Sequence, residues 1–279
     1  MKNLLIRKLT IPEEMEAVEE IQSQIWPGSP VDIVPGHMML AAIHNGGLVL
    51  GAFIEVSLVG FLFGFPGINE YQDGNRLKHC SHMLGIRPEW RDAGIGFALK
   101  VVQRDTVRKQ GINLITWTYD PLLSRNAYLN INKLGGVCRT YLRSVYGSMR
   151  DGLNTGLESD RFQVDWWLDS SRVVDRLDNQ VAERRNLEEI SKMDVEILAI
   201  GEDEKPMLSQ PTFDYQLLLV EIPMDFLALK SRDIYLAKEW RSTSRVIFEN
   251  AFSKGFLIKG FIKESGHSYY LLDRDQPSK

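Results

Sequence analysis

Arg91-Asp92-Ala93-Gly94-Ile95-Gly96 have the types and spacing to hold a phosphate group. They read R-x-x-G-x-G, between a strand-like apolar run at 80–86 and a helix-like run at 97–110. Amides in the first turn of a helix have no partner inside it, and the helix dipole favours an anion there. Gly94 and Gly96 carry no Cβ, so a ligand can come close to the backbone. Arg91 adds a charge-assisted donor. Two other phosphate patterns do not fit. A G-x-G-x-x-G fingerprint begun at Gly94 would need a third glycine where Leu99 stands, and no Gly-Lys-Ser/Thr of a Walker loop is present.

The stretch Leu84-Gly-Ile-Arg-Pro-Glu-Trp-Arg-Asp-Ala-Gly-Ile-Gly resembles the pyrophosphate loop of the N-acetyltransferase (GNAT) superfamily, with its strand, bend and R-x-x-G-x-G turn. A second stretch, Ser124-Arg-Asn-Ala-Tyr-Leu-Asn-Ile-Asn-Lys-Leu-Gly-Gly, resembles that family's other signature through Asn126, Ala127, Lys133 and Gly135. The resemblance covers about 1–169. It implies a coenzyme A thioester, acetyl-CoA or succinyl-CoA, with its pyrophosphate on residues 91–96. It also implies backbone pairing of the pantetheine arm with Leu84, Gly85 and Ile86, and Asn126 facing the arm or the phosphates. The implied activity is N-acylation of a small amine, an amino acid among the candidates. The overall build resembles a bacterial subgroup with an extra C-terminal segment, some members of which are linked to N-acylation of amino acids.

One position departs from the family pattern. Many relatives place a tyrosine four residues after the alanine to protonate the departing thiolate, and Ile131 stands there. A general acid contributes about two to four orders of magnitude in rate. Its absence leaves a non-catalytic acyl-CoA-binding sensor or assembly protein as the rival reading.

The acceptor amine must be neutral when it attacks, which calls for a base. His79 and His82 titrate near neutrality. Strand alternation puts Cys80 and His82 on one face and His79 and Ser81 on the other, so only one histidine can face a cleft. Glu55 is a third candidate, with a hairpin-turn role as the alternative. Arg143, Arg150 and Arg161 could grip a carboxylate bidentately, or make surface ion pairs.

The elements that must position these groups follow from periodicity and punctuation. Strands are expected at 4–9, 48–54, 58–65, 79–86, 113–119, 137–142 and 162–168. Helices are expected at 12–25, 36–44, 97–110 and 124–134, with Ser124 as a cap and Gly111 and Gly135 as stops. The expected fold class is α/β of the α+β type: a GNAT-like mixed, mostly antiparallel twisted sheet flanked by helices. Residues 170–210 are charge-rich and expected to be a solvated helix or linker. Residues 211–279 have βαββ character: a strand at 215–222, a long helix at 231–254, and strands at 256–262 and 268–272. The expected domains are therefore a GNAT-like acyl-CoA-binding domain at 1–169, a charged linker or helix at 170–210, and a C-terminal α/β subdomain at 211–279.

Composition narrows the function classes. A net charge of −4 argues against a general nucleic-acid binder. Two cysteines, Cys80 and Cys138, make neither a disulfide framework nor a metal cluster, and suggest a reducing, cytoplasmic setting. Arg7 follows only three apolar residues, Leu4 to Ile6, a run too short for a signal-peptide core. The apolar run 48–68 carries Glu55, four glycines and Pro66, and is expected to be a buried hairpin rather than a membrane span. No membrane partner is expected, and a homodimer is left open.

Overall fold

In the computed structural model, residues 3–28, 32–69, 76–147, 156–179, 186–199, 201, 204–206 and 211–274 are described. They form two compact units. The first holds 3–117 and 167–170, and the second holds 118–147, 156–166 and 171–274.

The first unit begins with β1 (Leu4–Lys8) and α1 (Pro12–Ile25). Pro12 opens α1, and the Glu14 carboxylate accepts from the Thr10 amide at 2.7 Å and the Ile11 amide at 3.3 Å, which satisfies donors the helix cannot. Then come α2 (Gly36–His44), β2 (Leu48–Ile54), β3 (Ser57–Ile68), β4 (Leu77–Ile86), α3 (Ile95–Arg108) and β5 (Leu114–Tyr119). The last two residues of β5 belong to the second unit. The sheet order is β1-β2-β3-β4-β5, antiparallel except for the parallel pair β4–β5.

Alternation along the strands builds a core on each face. Phe61 and Phe63 pack with Met15, Val18, Ile21 and Ile25 of α1 and Met39 of α2. Leu62, Leu48 and Leu50 pack with Ile95 and Leu99 of α3. The apolar run 48–68 is thus the β2–β3 hairpin, turned through Glu55 and Val56. No helix among the described residues is long and apolar enough to cross a membrane.

The second unit contains a short helix α4 (Ser124–Ala127), a π-helical turn at Tyr128–Lys133, β6 (Val137–Leu142), β7 (Arg161–Trp167), α5 (Ser171–Leu177), α6 (Leu187–Ser191), β8 (Val195–Leu198), β9 (Leu217–Ile222), α7 (Phe226–Arg232), α8 (Ile234–Ser253), β10 (Phe256–Glu264) and β11 (His267–Arg274). Its strands run in the order β7-β6-β10-β11-β9-β8, antiparallel except for β8–β9. The mixed, mostly antiparallel sheet with flanking helices is the expected fold class.

Four expectations need correction. The division does not fall at residue 169, because 118–147 and 156–166 share a compact unit with the C-terminal segment. Residues 170–210, expected to be a solvated helix or a linker, hold two short helices and also the strand β8, and the first helix is not merely solvated. Arg172 and Arg176, one turn apart on α5, donate to the carbonyls of Gly135 (3.1 Å), Ile131 (3.3 Å) and Asn132 (2.9 Å), so this helix closes the end of the π-helical turn. The helix expected at 231–254 starts three residues later, as α8 (Ile234–Ser253), and Ser231 and Arg232 end the preceding α7. Asp233 is extended, and its carboxylate accepts from the Tyr235 and Leu236 amides, ending α7 and starting α8. Ser124 is not a cap but the first helical residue, its hydroxyl 2.9 Å from that of Ser268.

Candidate functional site

The R-x-x-G-x-G loop follows β4 through a 3₁₀ turn at Pro88–Trp90. Arg87 anchors the turn: its amide donates to the Val59 carbonyl at 3.0 Å and its Nε to the Leu58 carbonyl at 2.8 Å. Asp92 (φ 66°) and Gly94 (φ 75°) are both left-handed, which bends the chain sharply into α3. The helix starts two residues earlier than its apolar pattern indicated. Gly94 is its cap, and Ile95 and Gly96 lie inside its first turn.

Ala98 is the first amide to bond within this turn, to the Gly94 carbonyl at 3.1 Å. The amides of Ile95, Gly96 and Phe97 therefore form an unpaired donor set among the described residues. No acidic residue lies in this first turn, and a Cβ on Gly94 would meet nothing within 4 Å. Arg91 and Asp92 are exposed, and Ala93 is half-buried.

β4 leads into this loop and parts from β5. The parallel pairing is His79↔Ile115 and Cys80↔Thr116, and β4 runs six residues further, to Ile86. The two strands make a fork, and α3 starts from the loop beyond β4's far end. Leu84, Gly85 and Ile86 pair on their other side with Leu62, Phe61 and Gly60, so alternate backbone groups of this segment face away from β3. Gly85 has a packing reason of its own: a Cβ there would overlap Ile25 and Phe61.

A β-bulge breaks the alternation of β4. Phe63↔Met83 and Phe65↔Cys80 set two steps on β3 against three on β4. His82 and Met83 consequently share the α1 face. Met83 packs into the α1 core, and the exposed His82 has ring contacts of 5.8 Å with both Phe63 and Phe65. Partial burial holds the His82 imidazole below its ordinary pKa, which keeps it neutral and able to accept a proton.

His79 lies on the other face and is 0% exposed. Its ring covers Gly64, where any Cβ would overlap Nε2, and neither ring nitrogen has a partner among the described residues. Burial, reinforced by the nearby Lys100, pushes its pKa down to about 4. His79 is therefore a poor base, withdrawn from any acceptor. A stability test follows. The native state refuses a proton that the unfolded chain accepts below pH 6.5, so stability should fall as pH drops from 6.5 to about 4. The loss expected from this group is about 3 kcal/mol. Denaturation of wild type and His79→Phe across this range checks it: identical pH slopes would refute the burial cost.

Glu55 stands in the β2–β3 turn at φ 54°. The six steps along β3 from Ser57 to Phe63 separate that turn from the bulge by about 20 Å, too far for a shared proton.

Lys100 was missed in the sequence. It is 3% exposed, and its Nζ donates to Ser81 Oγ at 2.8 Å and sits 3.5 Å from the centroid of the Trp117 ring. The signal was a charge on the buried stripe of α3, where Lys100 and Arg104 stand four apart with Leu99 and Val107.

In the second unit, Asn126 is half-buried on α4, and Ile131, at the usual tyrosine position, is 0% exposed. The π-helical turn there alters which residues share a face, so α-helical spacing does not place Tyr128 or Asn130. The Tyr128 ring lies 5.8 Å from Lys133 Nζ. Arg143 forks onto Glu249 with two 2.5 Å hydrogen bonds, and the buried Arg161 donates to the Asp160 carbonyl at 2.8 Å. Both guanidiniums have protein partners. Arg150 lies outside the described residues.

No family model and no curated protein matches the sequence. Solved structures of similar shape include three acetyltransferases. Arabidopsis thaliana NAA60 in complex with acetyl-CoA is 14% identical, with 59% of this chain and 99% of that chain covered and a TM-score of 0.48. The ribosomal-protein-S18-alanine N-acetyltransferase from Escherichia coli is 14% identical, over 60% of this chain and 96% of that one, with a TM-score of 0.46. A GNAT family acetyltransferase from Elizabethkingia anophelis with acetyl-CoA bound is 13% identical, over 60% and 99%, with a TM-score of 0.42.

Proposed function

We propose that this protein is a coenzyme A-dependent N-acyltransferase of the GNAT type, acting on a small amine such as an amino acid. The observation that carries this reading is the joining of two features within one unit. Three unpaired amides under a left-handed glycine cap sit at the end of a β4–β5 fork. The donor set fits a pyrophosphate, and the fork fits an extended arm that bonds to backbone. Bound there, an acyl-CoA would supply an activated acyl group.

The chain's own residues do the rest. The amides of Ile95, Gly96 and Phe97 hold the phosphates, with Arg91 beside them. Backbone groups of Leu84 to Ile86 orient the arm. His82, neutral and exposed beside the bulge, takes a proton from the incoming amine at one of its ring nitrogens.

The buried Ile131 at the usual phenol position favours a second reading, a protein that binds acyl-CoA without turnover. Calorimetric titration with acetyl-CoA, succinyl-CoA and free coenzyme A, followed by thiol-release assays over a panel of amino acids, separates the readings. Micromolar binding with turnover is the expected result. Binding without thiol release would leave the sensor reading, and no binding would remove both.

A further inference from the structure

The β4–β5 fork closes on a polar group that the proposed reaction has not yet used. Beyond the last pair, Cys80↔Thr116, the next residues on the two strands are Ser81 and Trp117. Lys100 reaches from α3 to both: its Nζ is 2.8 Å from Ser81 Oγ and 3.5 Å from the Trp117 ring centroid. All three belong to the first unit. The fork apex is thus floored by a hydroxyl that accepts a hydrogen bond from a lysine, which leaves its own O–H to donate elsewhere.

Distance along the strand gives this pair a purpose. From Ile86, next to the phosphate loop, back to Ser81 is five residues, about 16 Å. A pantetheine arm, with two amide units and flanking methylenes, spans when extended about as much as four to five residues of chain, roughly 15 Å. If phosphates bind at the start of α3, the sulfur at the far end of the arm comes to Ser81.

We propose that the Ser81 hydroxyl is the proton donor to the departing thiolate, with Lys100 as the positioning residue that polarises it. This rests on the acyltransferase reading above, and it assigns the role left open by Ile131. As the N–C bond to the acceptor forms and the C–S bond breaks, the Ser81 O–H passes its proton to sulfur. Lys100 Nζ–H restores the proton to Ser81 Oγ; the proton that His82 takes from the acceptor amine is released to solvent, and Lys100 regains one from solvent. The net change is one amine N–H exchanged for one thiol S–H. Burial holds the Lys100 ammonium well below its ordinary pKa, so it gives up a proton more readily than an exposed lysine.

The test compares affinities for free coenzyme A and for desulfo-coenzyme A, which lacks the thiol, by calorimetry at a pH where bound thiol is partly ionised. Wild type should prefer the thiol by about tenfold, the size of one hydrogen bond to a charged sulfur. Ser81→Ala should bring the ratio near one while desulfo-coenzyme A still binds, and Ser81→Thr should restore it. Lys100→Met should shift the ratio in the same direction. If that variant does not fold, the serine pair decides alone, since Ser81→Ala removes a single oxygen. Turnover by Ser81→Ala should fall about a hundredfold, and by less with thioesters of more acidic thiols.

An unchanged ratio in Ser81→Ala overturns the proposal while leaving the acyltransferase reading intact. So does an acyl group found on Ser81 by mass spectrometry, which would make it a nucleophile. Failure of wild type to bind either ligand overturns both readings together.

Discussion

Gly96→Asp should leave the protein folded and remove the affinity for acyl-coenzyme A that we propose for this loop. Gly96 is the second residue of α3, and a Cβ built there meets only Leu84 Cδ2, at 3.5 Å, an ordinary contact. Its φ is not in the left-handed range, so a side chain adds no backbone strain. A carboxylate in the first turn complements the helix dipole by about 0.3–1 kcal/mol, and losing a helical glycine adds roughly another 0.5. The melting temperature should hold or rise. Binding should move the other way. A carboxylate about 4 Å from a pyrophosphate charge, at an effective dielectric near 20, costs about 4 kcal/mol, or roughly a thousandfold in affinity. Thermal melts and titration of the same preparation read both effects. An acetyl-CoA affinity equal to that of wild type would show that this loop is not the phosphate site.

Phe162→Ala should cost the second unit about 3–5 kcal/mol. Phe162 is 0% exposed at the centre of an aromatic cluster. Its ring meets Phe248 at 4.8 Å, Tyr270 at 5.5 Å, Tyr141 at 5.6 Å and Tyr119 at 5.9 Å, all edge-to-face, and Phe252 at 5.6 Å. Such pairs add about 0.5–1.5 kcal/mol each beyond area burial. Against a whole-domain stability of about 5–15 kcal/mol, that loss brings the unit close to unfolding at ambient temperature. Urea denaturation followed by tryptophan fluorescence measures it. A loss under about 1 kcal/mol would mean that the cluster is not packed as described.

The cluster also shows why a domain boundary was misplaced in the sequence. Phe162 lies in the stretch that resembles an acyltransferase, while Phe248, Phe252 and Tyr270 lie in the C-terminal segment. A motif ends where its pattern ends. A hydrophobic core ends where its contacts end, and these join residues up to 108 positions apart (270 − 162) with no local signal.

What the sequence determined by itself is whatever depends on neighbours along the chain. Helices at Pro12–Ile25 and Gly36–His44 and the strand at Val137–Leu142 stand at the expected bounds, because their periodicity and end signals are local. The glycine loop that opens α3 was legible for the same reason: two glycines and an arginine between a strand and a helix define it within six residues. The tertiary structure decided what depends on a third element. The bulge in β4 set which face His82 takes, by its register against β3. Packing under α3 put Lys100 against Ser81 and Trp117 and hid His79 over Gly64. Burial changes the chemistry of an ionisable side chain more than its position in a motif does, and burial is created only when distant segments close over it.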